Sequence, residues 1–160
     1  MASTLKVYRI CKNKYANDLK GTGAYISGGR WNTVGNFVLY TSSTVSLSML
    51  EVLVHVSSYT WPNDMSLVTI QIPDGSIKNI EINDLPKDWN TLPSSDSAQK
   101  IGDQWLSENK FLVLSVPSVV NPYEVNYLIN PDHPLFRDIQ IEKIEPWSFD
   151  QRFKNASLTI

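Results

Sequence analysis

Residues 21–56, GTGAYISGGRWNTVGNFVLYTSSTVSLSMLEVLVHV, place a glycine-punctuated loop, a short apolar strand and a mainly apolar helix in immediate succession. Five glycines fall between Gly21 and Asn36, so this part is expected to be an irregular loop shaped by positive-φ residues. Phe37–Thr41 is expected to form a short buried strand. Thr41-Ser-Ser-Thr44 offers N-cap residues for a helix whose apolar positions continue to Val56. Leu47, Leu50, Glu51 and Val54 share one side of that helix, which aligns Glu51 with the core-facing side. Between Asp18 and Asp64 the only charged side chains are Lys20, Arg30 and Glu51. A run so poor in charge is mostly buried, and buried charges persist only when paired or used. Arg30 and Glu51 are therefore the first candidates for function.

On either side of this stretch the patterns are mainly those of short strands. Leu5–Ile10 alternates as an opening strand with Val7 and Arg9 on one face, and Ser66–Ile72 (SLVTIQI) leads into a Pro73-Asp74-Gly75 turn. Ile77–Ile82, Phe111–Val116, Glu124–Ile129 and Ile139–Ile144 are further strands, the last half-exposed and suited to a sheet edge. Asn83–Ser97 is a polar surface loop anchored by Trp89. Asp96-x-x-Gln99 has the form of a capping box opening a helix to about Asn109, with Ile101, Trp105 and Leu106 inward. The tail, with Trp147, Phe149 and Phe153, is expected to pack back on the body. The expected class is α+β, with two main helices and six or seven short, mostly antiparallel strands in one domain over residues 1–160.

Composition removes several classes of function. The chain has 160 residues, 42% of them hydrophobic and 19% charged, as suits a globular protein with a real core. A net charge of −2 and no basic run leave no electrostatic footprint for direct nucleic-acid binding. One cysteine, Cys11, rules out an internal disulfide and a cysteine-based metal site. His55 and His133 lack an HExxH context, so no metal is expected. The polar N-terminus and the lack of a long apolar run point to a cytoplasmic protein with no membrane association. Asn155-Ala156-Ser157 fits a glycosylation sequon, which carries no weight without a secretion signal.

Standard nucleotide motifs fail. Gly21-x-Gly23 meets Ile26 where a dinucleotide fingerprint requires glycine, and Gly23-x4-Gly28 is followed by Gly29-Arg30 rather than the Lys-Ser/Thr of a P-loop. Gly-x-Ser-x-Gly is absent. Arg30 in a glycine-shaped loop suits either a bidentate anion clamp or a carboxylate pair that pins the loop. Glu51 suits stabilisation of developing positive charge, or a satisfied structural carboxylate. Tyr40, at a strand end, either stacks on a ring or packs in the core. Ser118, after a proline, is a hydroxyl ligand or a turn residue, and His55 a helix-end residue or a partner of Glu51.

The combination is more specific than its parts. Tyr8-Arg9, Gly-Gly-Arg-Trp-Asn at 28–32, Tyr40-Thr-Ser42, Leu50-Glu51-Val-Leu-Val-His55, Val116-Pro-Ser118, Glu124-x-Asn126-Tyr-Leu-Ile-Asn-Pro131 and Phe149-Asp-x-Arg152 occur in that order. Together they resemble the RES-domain family, named for an arginine, a glutamate and a serine, over nearly the whole chain. The resemblance implies an ADP-ribosyltransferase-like fold, with the strands in two small sheets. It implies a toxin of a type II toxin–antitoxin pair, encoded beside and complexed with an Xre-like helix-turn-helix antitoxin. It implies that NAD⁺ is consumed as a substrate, with no bound cofactor.

Carried over by motif, Arg30, Tyr40, Glu51 and Ser118 are the catalytic set, and Arg9, Trp31 and Asn126 join Arg30 and Tyr40 in holding substrate. Glu51 would stabilise a cationic ribose, Arg30 grip the diphosphate, Tyr40 stack on a ring and Ser118 bond near the nicotinamide-ribose. Water, phosphate or a protein side chain are all open as acceptor. The alternatives are a protein ADP-ribosyltransferase using the same site and a non-catalytic module in which Arg30 and Glu51 form a structural pair.

Overall fold

The computed structural model describes residues 3–156; Ser157, which completes the sequon, lies outside them. Seven strands form one sheet: β1 (Thr4–Lys12), β2 (Leu39–Ser42), β3 (Met65–Pro73), β4 (Ile77–Asn79), β5 (Val113–Pro117), β6 (Val125–Ile129) and β7 (Gln140–Trp147). Their order is β4-β5-β6-β2-β1-β3-β7, with β4 and β5 parallel and every other neighbouring pair antiparallel. The helices are α1 (Thr22–Ser27), α2 (Val45–Leu53), α3 (Asp96–Glu108) and α4 (Gln151–Ala156). The α+β class stands, but a single sheet replaces the expected two.

The way that sheet is joined explains the correction and positions the site. β2 is only four residues long and pairs with β6 along its whole length, from Leu39↔Ile129 to Ser42↔Asn126. Against β1 it makes a single register pair, Tyr8↔Ser42. β1, by contrast, pairs with β3 from Thr4↔Pro73 to Lys12↔Met65. Two well-paired halves are thus linked at one point, because the chain leaves the sheet after Ser42 to enter α2. The N–H of Ile10, on the part of β1 that β2 does not cover, is satisfied by Ser48 Oγ of α2 at 3.0 Å. A buried amide must find such a partner, and here a helix side chain supplies it.

Alternation along the strands sorts the core into one continuous layer and two separate ones. Val7, Leu39, Val68, Ile70, Ile72, Val113 and Ile129 form a cluster that crosses both halves on one face. On the other face, Leu114, Val116 and Leu128 pack with Trp31, Trp89 and Trp105 beneath α3. Ile10, Met65, Leu67 and Phe149 pack with Val45, Met49 and Val52 beneath α2. A cleft opens on this face between the two clusters.

Five local expectations change. Gly21–Asn36 is not wholly irregular: α1 fits inside it because the left-handed glycines, Gly21 (φ 73°) and Gly28 (φ 70°), lie at its two ends. α2 stops at Leu53 rather than Val56, since the amides of His55 and Val56 tighten to i−3 bonds on Val52 and Leu53. Val54, expected inward, is 56% exposed, and Ser48 is buried beside Leu47. The cap of α3 is Ser95, whose Oγ accepts from Ala98 N at 3.1 Å, so Asp96 and Gln99 do not form the capping box. β4 ends at Asn79, ahead of a 3-10 turn at Ile82–Asp84.

Candidate active site

The Gly28–Asn32 motif is built as a tight loop around Asn32. Asn32 is fully buried; its Nδ2 donates to the carbonyls of Ala24, Thr33 and Asn36, and its Oδ1 accepts from the Tyr40 hydroxyl at 2.6 Å. The same hydroxyl accepts from Trp31 N at 3.2 Å, so Tyr40 is pinned at both lone pair and proton. Burial pushes its pKa well above the usual tyrosine range, which keeps it a neutral phenol. Gly29 has to be glycine here: a Cβ would sit 2.6 Å from Tyr40 Oη and 2.9 Å from Asn32 Oδ1.

Arg30 projects from this loop with only part of its guanidinium engaged. Its Nη1 donates to the carbonyls of Trp89 (3.1 Å) and Thr91 (2.8 Å). Nε and Nη2 make no hydrogen bond among the described residues, which leaves donors for an anion in the cleft. Partial burial lowers the pKa of Arg30, and the neighbouring Glu51 and Tyr40 oppose that shift. Among the described residues no ion pair joins Arg30 to Glu51, so the structural-pair alternative loses its premise.

Glu51 is held from one side only. Ser118 Oγ donates to Oε1 at 2.7 Å and Asn126 Nδ2 donates to the same Oε1 at 2.8 Å. Oε2 has no hydrogen-bond partner among the described residues. Both donors are themselves fixed. Ser118 Oγ accepts from the amides of Val120 and Asn121, each at 3.1 Å, which directs its single proton to Glu51. Asn126 Oδ1 accepts from Ser42 Oγ at 2.9 Å, which settles the orientation of its amide. The helix that carries Glu51 is started by Thr44, whose Oγ1 accepts from Leu47 N at 3.0 Å.

These groups converge on an open cleft of about 820 Å³, within the range of about 300–1,000 Å³ usual for small-molecule sites. Arg9, Arg30, Trp31, Tyr40, Glu51 and Asn126 all line it. Arg9 resembles Arg30 in its anchoring: Nη1 donates to the carbonyls of Tyr15 and Asp18. Ser118 is the exception. It is fully buried and does not line the cleft, so it meets Glu51 rather than the open space where direct substrate contact was expected. His55 lies at the cleft margin without a hydrogen bond to Glu51.

Several residues that build the site escaped sequence reasoning. Ser42 orients Asn126, Ser48 seats α2 on β1, and Asp103 of α3 accepts from Thr33 N, Thr33 Oγ1 and Asn36 Nδ2 at 2.8–3.1 Å. Each acts across a long sequence separation; Ser42 stands in the Tyr40-Thr-Ser42 motif without its role being readable there, and nothing in the local pattern marks the other two. Among the described residues no group of three or more His, Cys, Asp or Glu side chains is gathered as a metal site, and no helix is long and apolar enough to cross a membrane.

Comparison with known proteins agrees with the motif order. The RES domain family model matches residues 6–151. A protein of Sphingobium sp. (strain YBL2) named Prs ADP-ribosylating toxin is 39% identical over 140 residues, covering 86% of this chain and 87% of its own. The protein of Yersinia enterocolitica named Toxin Res is 37% identical over 153 residues, covering 94% of this chain and all of its own. In fold, the chain is similar to a chain of the M. tuberculosis MbcT-MbcA toxin-antitoxin complex, with a TM-score of 0.76 and 16% identity over 99% of this chain and 92% of that one. The family match spans the loop that carries Arg30, the helix that carries Glu51 and the turn that carries Ser118, and the chain belongs to the RES-domain family.

Proposed function

We propose that this chain is the toxin of a toxin–antitoxin pair and that it depletes NAD⁺ by breaking the nicotinamide–ribose bond. The observation that carries the reading is the one-sided hold on Glu51: Oε1 takes both protein hydrogen bonds, and Oε2 is left for a ligand in a cleft that also presents unused Arg30 donors. Nicotinamide leaves as a neutral group, taking the electron pair of the C–N bond, and so needs no general acid. The ribose left behind is oxocarbenium-like, and a fixed carboxylate stabilises it as it forms.

In this reading Glu51 holds a ribose hydroxyl and the developing cation, Arg30 takes the diphosphate through Nε and Nη2, and the ring of Tyr40 stacks on substrate. Ser118 and Asn126 aim Glu51. Arg9 and Trp31 complete the wall. An incoming water forms the new O–C bond and gives up its proton, yielding free ADP-ribose; inorganic phosphate yields the phosphorylated sugar. NAD⁺ is the substrate and is not retained.

A second reading is favoured by the relative named Prs ADP-ribosylating toxin. There the acceptor is a protein side chain, and the open cleft leaves room for a partner to reach the sugar. The relative named Toxin Res, and a fold shared with a chain from a toxin-antitoxin complex, support a cognate antitoxin that covers this cleft in a hetero-oligomer. An Xre-like helix-turn-helix antitoxin would supply the operator contacts, because this chain, with a net charge of −2 and no basic run, carries no electrostatic footprint for DNA.

The test is nicotinamide release from NAD⁺ by antitoxin-free protein, with and without phosphate, beside Glu51→Gln. Release that Glu51→Gln abolishes in a folded protein is the expected result, and phosphate dependence identifies the acceptor. Release unchanged in Glu51→Gln would remove Glu51 from the mechanism. Label from NAD⁺ retained on protein would move the reading to the transferase.

A further inference from the structure

The capping-box pattern at Asp96-x-x-Gln99 leaves Gln99 without its expected partner, since Ser95 caps α3. Gln99 instead points away from its own helix. Its Nε2 donates to Gly29 O at 3.0 Å and to Asn32 O at 3.3 Å. Those two carbonyls bracket Arg30 and Trp31 in the chain, and the two N–H bonds of one amide serve them both. One turn further on, the backbone of α3 at Gly102 lies against Trp31 O, and Asp103 takes Thr33 and Asn36. Gln99, Gly102 and Asp103 follow i, i+3, i+4 spacing, so they share one helix face. That face is a template for residues 29–36.

We infer that Gln99 is a positioning residue for Arg30. By holding the carbonyls on both sides of it, Gln99 sets where the guanidinium leaves the loop. The loop closes on itself through Gly29 N to Asn32 O at 3.0 Å, and Tyr40 holds Trp31 N, but neither bond takes the carbonyl of Gly29. Gly28 and Gly29 give it no side-chain packing, and the direct protein bonds of the guanidinium are to Trp89 O and Thr91 O, in a connection without helix or strand. β2 also holds the loop, through the Tyr40 hydroxyl, but only α3 side chains reach the carbonyls on either side of Arg30, and among the described residues Gln99 is the only α3 side chain that donates to the loop. The inference deepens the proposed NAD⁺ chemistry and rests on it for its kinetic part, whereas its structural part does not.

Gln99→Met keeps the length and helix preference of the side chain and removes both donors. Gln99→Glu places an acceptor oxygen opposite two carbonyl oxygens. The first readout is amide hydrogen exchange over residues 28–33, which needs no activity. Exchange on the order of tenfold faster in Gln99→Met, and faster still in Gln99→Glu, is expected from the loss of two neutral hydrogen bonds. Unchanged exchange overturns the clamp whether or not the protein turns over NAD⁺. The second readout is a double-mutant comparison of nicotinamide release. Gln99→Met is expected to raise KM roughly five- to tenfold in the wild-type background and to add nothing once Arg30 is Ala. Equal effects in both backgrounds would show that Gln99 acts on stability alone and overturn the positioning role. If the wild-type protein itself releases no nicotinamide, the proposed function fails, and the exchange measurement still decides the clamp.

Discussion

Removing the Ser118 hydroxyl separates a residue that touches substrate from one that aims Glu51. Ser118→Ala deletes a hydrogen bond to a carboxylate, at 2.7 Å, and leaves the amides of Val120 and Asn121 without their acceptor. A bond to a charged group contributes about 1.5–3 kcal/mol. The two amides belong to half-buried residues that water can reach, so together they add about 1 kcal/mol at most rather than a full desolvation cost. The expected loss of stability is about 2–4 kcal/mol, or a fall in Tm of about 4–16 °C for a chain of this size.

Glu51 keeps Asn126, so its carboxylate is loosened rather than released. If about half of the lost bond is felt in the transition state, kcat falls roughly three- to tenfold, with KM little changed. The assay pairs a thermal melt with steady-state nicotinamide release well below the melting range. A raised KM with intact kcat would refute this reasoning, because it would mean that Ser118 binds substrate directly. An unchanged kcat with the lower Tm would reduce Ser118 to a turn residue.

Two further outcomes follow from the loop. Tyr40→Phe leaves Asn32 Oδ1 buried without a donor, which should cost about 1–3 kcal/mol at neutral pH. Because the folded-state pKa of Tyr40 is raised, its contribution is fully present below its ordinary value of 10.0 and is lost as pH climbs above it. The variant should therefore show a shallower alkaline fall in stability, measured by urea unfolding across pH 9–11; an equally steep fall would assign it to other groups. Gly102→Ala would put a Cβ 1.7 Å from Trp31 O, so α3 and the loop must part. Destabilisation above about 3 kcal/mol, with loss of release, is expected; a native melt would show that the helix shifts without consequence.

Legibility from sequence differed between the elements and their joins. β1, β3, β5 and β6 follow the apolar runs that suggested them, since a strand buried on one or both faces must show that pattern wherever it sits in the fold. Trp89 and Trp105 are buried as anchors should be. The end of α2, the outward turn of Val54 and the cap of α3 were missed. The cap went to a competitor one residue away, Ser95 beside Asp96, while α2 ended three residues early and so let Val54 turn outward; local preference separates such alternatives by less than tertiary contacts do. The expectation of two sheets erred by one register pair, Tyr8↔Ser42, a contact with no sequence signature.

The chain by itself determined its class, its charge character, its family and the candidate site residues, most of which line one cleft. Those properties reside in residue types, their order and their short-range spacing. Tertiary structure alone decided the division of labour within that set. It buried Ser118 behind Glu51, left Oε2 of Glu51 open, gave Arg30 carbonyl partners rather than an ion pair with Glu51 among the described residues, and set Gln99 on two loop carbonyls instead of a cap. The reason is physical: whether a polar atom is free for a ligand depends on which partners reach it. The partners of Glu51 stand 67 and 75 residues away along the chain.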